Sequence, residues 1–527
     1  MSASQQSIKK SGLFDSRLLS NIQGLPWTGI LTLGAFFVIS FAAYWSILNN
    51  GPVADDWGLF YKVAYIPSWH LWRLFLTQSP LFIRPIPFFM VWLFYHLFGL
   101  DLMPSHLLNV GVHTINAFLL MWMLQQVGVG RRTGLFAASL FLLTPIGAES
   151  VSWTTGRFDV WALFFMLLAA GLYTSYLKNN KCKLYIFALI AVVAAWLSKE
   201  PSIIMVGIIP ALELLFLIIP NRNSQPNLQS SRSDRLKPAV YRVGLLFALF
   251  AGYIVMRYAI MGRLGGATYI PLFGKPHLKA AAHTFVTLLA PLDKLQSSNG
   301  AIELLAGYIG CLYALSLGLV IWRWKHSSDG ARRAWLFLVA FLATSFVPIY
   351  YYAFMTGMTN YLTDSRMYYI TYATFISLMV IGLYEFGWNS SIWKIFISAA
   401  LVAIVPIFII GLNHNNRVWE RAATISSIII RETKAQLPDP PQKARLYFEN
   451  TPRLEGAHIM ASALKEEVQL SYGRRDLRIF YVNPDPALEE GYFKNMATQD
   501  ANGYLFSFNW HKTQLLLLRG PLRLQTN

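Results

Sequence analysis

Apolar residues fall in continuous runs of roughly twenty over most of the first 412 positions, long enough to cross a ~30 Å hydrocarbon core. The runs do not alternate as barrel strands do, so they predict helices. Eleven spans follow: Trp27 to Leu48, then 105–127, 134–147, 158–177, 184–198, 201–220, 243–261, 304–322, 335–352, 367–386 and 393–412. Two further apolar stretches, Phe88 to Leu100 and 280–291, are too short to cross and read as helices lying on the membrane surface. Beyond Arg417 the pattern changes. A linker over 417–441, with Pro438, Pro440 and Pro441, leads to a domain over 442–527. There the expected elements are strand Arg445 to Glu449, helix His458 to Leu470, strand Leu477 to Val482, and strands Tyr504 to Phe508 and Leu515 to Leu518, with Asn502-Gly503 as a turn signal. The fold class is an all-α polytopic membrane protein of about eleven transmembrane helices with a small C-terminal α/β domain.

Composition sharpens this. Only 13% of the 527 residues are charged and 55% are hydrophobic, whereas soluble domains carry about a quarter of their residues as charges. A soluble enzyme is excluded. The net charge of +18 does not indicate a nucleic-acid partner, because the cations cluster in short loops between spans. Lys9, Lys10 and Arg17, then Arg131 and Arg132, Lys178, Lys181 and Lys183, Arg222 to Arg242, and Arg323 to Arg333 all fall on one side, which is taken as cytoplasmic. The N-terminus (1–26) is then inside, the first span is uncleaved, and segments 49–104 and 262–303 and the C-terminal domain are outside, as in a multi-pass inner (plasma) membrane protein. Cys182 and Cys311 lie on different segments and suggest no disulfide framework.

Charge inside a membrane protein is costly, so its placement is informative. Almost every notable polar residue lies at an outer end of a span: Asp55, Asp56 and Trp57 after the first, His106 and Asn109 opening the second, Glu149, Arg157 and Asp159 between the third and fourth, Lys199 and Glu200 between the fifth and sixth, Asp364 and Arg366 before the tenth. A solute transporter would place its site near the midplane. His106, Asn109, His113 and Asn116 share one helix face by their spacing, either lining a site or joining helices; as a zinc signal the stripe is weak. Asp55-Asp56 and Lys199-Glu200 are also compatible with solvated or self-paired turns. Carboxylates and cations at headgroup level suit group transfer from a lipid-linked phosphate: a carboxylate can deprotonate an acceptor hydroxyl, and Arg and Lys can stabilise the leaving phosphate.

These residues resemble the C-type (GT-C) glycosyltransferase superfamily, and within it the bacterial relatives of the transmembrane-and-tetratricopeptide O-mannosyltransferases. The matching pieces run in order: Asp55-Asp56, Arg84-Pro85, His106-Leu107-Leu108-Asn109 with His113, Pro145, Glu149-Ser150-Val151, Gly156-Arg157-Phe158-Asp159, Ser198-Lys199-Glu200 and Arg366-Met367-Tyr368-Tyr369. Thr144 and Ser365 depart from the family's His and Glu, and no tetratricopeptide repeat is present. The resemblance implies Asp55 as base with Asp56 as its acidic neighbour. It implies Lys199 and Arg157, then Arg84 and Arg366, as donor-phosphate contacts, with Trp57, His106, Asn109, His113, Glu149, Asp159 and Glu200 lining the site. The implied reaction is an inverting transfer from a polyprenyl-phosphate (undecaprenyl-phosphate) sugar to a cell-envelope lipid, glycan or protein. No cofactor is required by this reading, although Asp55, Asp56 and Asp159 could offer oxygen ligands to a divalent metal, Mg or Mn. Two other readings stay open: a lipid-linked-sugar flippase or transporter, and an O-antigen ligase- or polymerase-like enzyme using a diphosphate-linked donor.

Overall fold

The computed structural model describes residues 27–66, 70, 82–220, 232–262, 284–293, 298–355, 362, 365–451, 454, 457, 459, 463–482, 500, 502–509 and 511–520. The expected cytoplasmic N-terminus (1–26), Asp364 and much of 262–303 lie outside the described residues.

In hydrocarbon the backbone has no water to bond, so apolar runs satisfy their N–H and C=O groups within helices. The first half of the chain forms α1 (Trp27–Ala43), α2 (Asp55–Ala64), α3 (Pro85–Phe98), α4 (Met103–Val127), α5 (Arg131–Leu142), α6 (Gly147–Ser152), α7 (Arg157–Asn179), α8 (Cys182–Trp196) and α9 (Met205–Ile218). The second half adds α10 (Arg232–Met261), α11 (Asn299–Arg323), α12 (Asp329–Met355), α13 (Tyr369–Glu385), α14 (Ser391–Val402) and α15 (Ile404–Gln436). Chain punctuation follows local chemistry. Pro residues open α3 and α4, where the missing N–H costs nothing, and Gly128 and Asn180 end α4 and α7 in the left-handed region.

Eight helical stretches among the described residues are long and apolar enough to cross a membrane, and each coincides with a run read as a span. The other three expected spans are shorter: α1 has 17 residues, α5 has 12 and α8 has 15. Pro145 accounts for α5, because the residue before a proline is pushed out of the α region. The chain turns at Leu143 and resumes as α6, which is buried throughout. The apolar stretch before Leu100 is the 14-residue helix α3.

α13 sits at the centre, with every residue from Tyr369 to Leu383 buried. α4 and α7 cross so closely that a Cβ at Gly171 would come within 2.0 Å of the Trp122 ring. Peripheral helices instead expose large apolar side chains: Val240, Phe247 and Val255 on α10, and Ile392, Ile395 and Phe396 on α14. On a membrane protein such surface is covered by lipid.

The expected linker over 417–441 is corrected: α15 continues to Gln436. Its buried residues Trp419, Ala422, Ser426, Ile429 and Thr433 recur every three or four positions, which makes one helix face. The end comes just before Pro438. That face packs on a four-stranded sheet of order β2-β1-β3-β4, formed by β1 (Arg445–Glu449), β2 (Arg478–Val482), β3 (Gly503–Asn509) and β4 (Gln514–Arg519). β1 runs parallel to β2 and β3, and β4 is antiparallel to β3. The Gln436 side chain bonds β4 like an extra strand, donating to Leu515 O at 2.7 Å and accepting from Leu517 N at 2.5 Å. The expected helix is α16 (Leu464–Tyr472), and part of its predicted start lies outside the described residues.

The Gly171 contact yields a first prediction. Gly171→Leu forces α4 and α7 apart, and overpacking of this kind costs about 1–3 kcal/mol. The variant should unfold at lower temperature in detergent, and an unchanged midpoint would refute the close crossing.

Candidate active site

Asp55 and Asp56 are the first two residues of α2, yet their environments differ. Asp55 is exposed, whereas Asp56 is buried. Asp56 accepts from Val53 N at 3.2 Å, Thr155 N at 2.8 Å and Thr155 Oγ1 at 2.6 Å. Burial pushes its carboxyl up to about 7, while these donors and the charge of Arg157 favour the ionised form. Asp56 thus ties the start of α2 to the turn before α7, and Asp55 is left facing outward. The preceding residue, Ala54, is buried with φ +47°, a conformation an L-residue adopts only when its surroundings impose it. Its N–H donates to Ile459 O at 2.6 Å.

Beside this loop lies a paired set of buried charges. Lys199 Nζ contacts both oxygens of Asp159 at 2.5 Å, and both side chains are almost fully buried. Burial pulls the ammonium down to about 8, with Asp159 opposing. Arg84 donates twice to Glu200 Oε2, at 2.8 and 2.6 Å, and its guanidinium lies 4.3 Å from the Phe82 ring centre. Arg257 approaches the other oxygen of Glu200 at 3.5 Å and contacts Tyr253 Oη at 3.1 Å. Arg366 donates its backbone N–H to Glu149 at 2.9 Å, brings its side-chain Nε to 3.7 Å from the other oxygen, and stacks its guanidinium 4.4 Å over Trp153. Trp153 joins the two halves of the site, since its indole N–H donates to Val53 O at 3.3 Å beside the Asp55 loop. Lys199 in turn feels the charges of Arg84 and Arg366.

Sequence reasoning missed Arg257. It lies on α10 in a run that faces mostly outward, with no motif around it; its one signal was a cation inside an apolar span. The structure also separates residues that the sequence grouped. Arg157 is fully buried on the Asp56 side, with Nε donating to Thr154 O at 3.0 Å and both Nη atoms without a hydrogen-bond partner among the described residues. His106 Nε2 meets Asn50 O at 3.1 Å, and Asn109 donates to Val151 O at 3.3 Å, so both brace the walls of the site. His113 is deeper. Its Nε2 meets Leu142 O at 3.1 Å and its Nδ1 meets Tyr369 Oη at 2.7 Å; Asn116 also donates to that hydroxyl, at 3.3 Å. A neutral ring with its proton on Nε2 satisfies all of these, so His113 joins helices and does not reach the charged cluster. Trp57 is likewise buried, its indole N–H donating to Ser426 Oγ at 3.1 Å.

Two of the three possible metal ligands are engaged elsewhere. Among the described residues no group of three His, Cys, Asp or Glu could hold an ion: Asp56 is committed to Val53 and Thr155, and Asp159 to Lys199.

Residues 79–233, which carry Arg84, Glu149, Arg157, Asp159, Lys199 and Glu200, match the family described as Dolichyl-phosphate-mannose-protein mannosyltransferase. The chain resembles the C-type glycosyltransferases. At the coarse level this supports a membrane glycosyltransferase of that type. No curated protein matches the chain. Among solved structures it is similar to that of ArnT from Cupriavidus metallidurans bound to undecaprenyl phosphate (11% identity, TM-score 0.41). It is also similar to the apo state of ArnT (12% identity, TM-score 0.43); each likeness covers 91% of this chain and 92% of the other.

If His113 joins helices, His113→Ala strands the Tyr369 hydroxyl and the Leu142 carbonyl, at about 1–3 kcal/mol for a buried polar group left unpaired. Thermal unfolding should report that loss while affinity for a lipid-phosphate ligand stays at the wild-type value. A weakened affinity with unchanged stability would place His113 in the site after all.

Proposed function

We propose that the protein transfers a sugar from a polyprenyl-phosphate donor, in bacteria undecaprenyl phosphate, to a cell-envelope lipid, glycan or protein at the outer face of the inner membrane. Asp55 is the base in this reading. The observation that carries it is the cluster itself: among the described residues Arg84, Lys199, Arg257 and Arg366 are gathered against Glu149, Asp159 and Glu200 at one level of the molecule. A phosphate-linked donor would bring its negative charge to these cations. A narrow pocket bordered by Pro201, Ile204, Ser345, Pro348, Ile349 and Ile370 meets the cluster at Asp159.

The step balances. Asp55 accepts the proton of the acceptor hydroxyl as its oxygen bonds to the anomeric carbon. The bond from that carbon to the phosphate oxygen breaks, and the electron pair leaves with the phosphate. The phosphate gains a second negative charge in this step, which places the stabilisation by Lys199 and the arginines in the transition state, where it accelerates the reaction. The acceptor needs room beside Asp55. A Cβ at Gly58, one turn along α2, would meet none of the described residues within 4 Å, which leaves room there among them.

In reconstituted membranes, with a panel of monophosphate- and diphosphate-linked sugars and a membrane extract as acceptor, wild-type protein should transfer sugar from a monophosphate donor and release polyprenyl phosphate. Asp55→Asn should lose about 10²- to 10⁴-fold in turnover and keep donor binding. Equal transfer by the variant would remove Asp55 as base. Preference for a diphosphate donor would favour a ligase-like enzyme, and appearance of the lipid-linked sugar on the opposite leaflet without release would favour a flippase. Gly58→Trp should raise the KM for acceptor and leave that for donor unchanged. A bulky side chain tolerated there would move the acceptor path elsewhere.

A further inference from the structure

A serine links the C-terminal domain to the Asp55 loop. Ser426, fully buried on α15, has three polar partners on three parts of the chain. Trp57 Nε1 lies at 3.1 Å, Pro52 O at 3.0 Å and Glu467 Oε1, on α16, at 2.8 Å. A hydroxyl has one hydrogen and two lone pairs. The indole can only donate and the carbonyl can only accept, so all three contacts are satisfied together only when the serine hydrogen goes to Pro52 O. The contact with Glu467 is then satisfied only if the glutamate brings the hydrogen.

We propose that Glu467 is a positioning residue which, as a neutral carboxylic acid donating to Ser426, holds the C-terminal domain against the loop that presents Asp55. Pro52 lies three residues before Asp55 and Trp57 two after it, so the serine fixes both flanks. The domain adds a second hold, the bond from Ala54 N to Ile459 O, at the residue with positive φ. Releasing either hold lets Ala54 relax and turns the start of α2, on which the direction of the Asp55 carboxylate depends. The inference rests on the reading of Asp55 as base.

The surroundings of Glu467 keep its proton on. It is fully buried, and burial holds its carboxyl up to about 8 against the Ser426 contact. The helices packed here carry Asp55, Asp56 and Lys62 on α2, Glu420 and Arg421 on α15, and Glu466 beside it on α16, and Arg478 is exposed at the start of β2. None of these contributes to its protonation. A carboxyl raised in the folded state lends stability that is complete below its ordinary value and is lost as pH rises through about 8. At that point an ionised Glu467 competes with Pro52 O for the serine hydrogen.

The test uses the full-length protein with Glu467→Gln, whose amide donates without titrating, Glu467→Ala, which cannot donate, and Asp55→Asn. Two readouts are followed from pH 6 to 9: kcat at saturating donor and acceptor, and hydrogen exchange of the Val53, Ala54 and Asp56 amides. Wild type should lose kcat and gain exchange at these amides above about pH 8. Glu467→Gln should keep the neutral kcat and flatten both profiles. Glu467→Ala should lower kcat roughly 10- to 100-fold, as misplaced catalytic groups do, with the donor KM unchanged. An alkaline limb that persists in Glu467→Gln, or a wild-type kcat in Glu467→Ala with unaltered exchange, overturns the proposal. Exchange does not depend on what Asp55 does, so full activity in Asp55→Asn with the exchange pattern as expected would defeat the base reading alone.

Discussion

A lysine and an aspartate buried side by side, Lys199 on Asp159, set the terms for one end of the molecule. Neither could stay charged there alone, because removing one partner leaves a buried ion uncompensated at about 3–5 kcal/mol. The same constraint runs outward through Arg84 and Arg257 on Glu200 and Arg366 on Glu149. Each pair joins segments far apart in sequence, so helices that lipid would let slide past one another are held in one register. Pairing also prepares the site. In the proposed reaction, cations whose positions are fixed by protein carboxylates would need little rearrangement as a phosphate became more negative in their midst.

The lesser carboxylates show how environment divides labour between similar groups. Asp56 takes three donors and is structural in effect, while its neighbour Asp55 is exposed at the first position of a helix. Arg157 adds positive charge behind Asp56, and Trp153 carries the loop on its indole N–H and Arg366 on its ring face. One turn of chain, 153–157, therefore serves both the acidic loop and the cationic cluster.

Much of this was legible in the sequence, for identifiable reasons. Length and hydropathy located the eight long spans because a bilayer demands both. The order of Arg84, Glu149, Arg157, Asp159, Lys199 and Glu200 was legible because charge in such a chain is rare and stands out. What failed did so for want of three-dimensional partners. His113 and Asn116 share a helix face with His106, but only the fold shows that the face passes Tyr369 and Leu142 as it goes deeper. Arg257 carries no motif and becomes notable only because Glu200 is opposite. The stretch after Arg417 looked like a linker because its charged residues broke the apolar run, although the spacing of Trp419, Ala422, Ser426, Ile429 and Thr433 already described a helix with a buried side.

That misreading hid the most consequential feature of the architecture. A linker would have made the C-terminal domain an independent module, free to move relative to the bundle. A continuous helix makes it an extension of the last span. Val53, Ala54, Trp153 and Trp419 share one apolar core with Leu446, Phe448, Phe506 and Leu515 of the sheet. Apolar packing of this kind is indifferent to small rotations, whereas hydrogen bonds to Pro52, Ala54 and Trp57 are not. The core therefore supplies adhesion and the bonds supply direction, and it is direction that an exposed carboxylate at the tip of a helix needs if it is to meet one hydroxyl of an arriving acceptor.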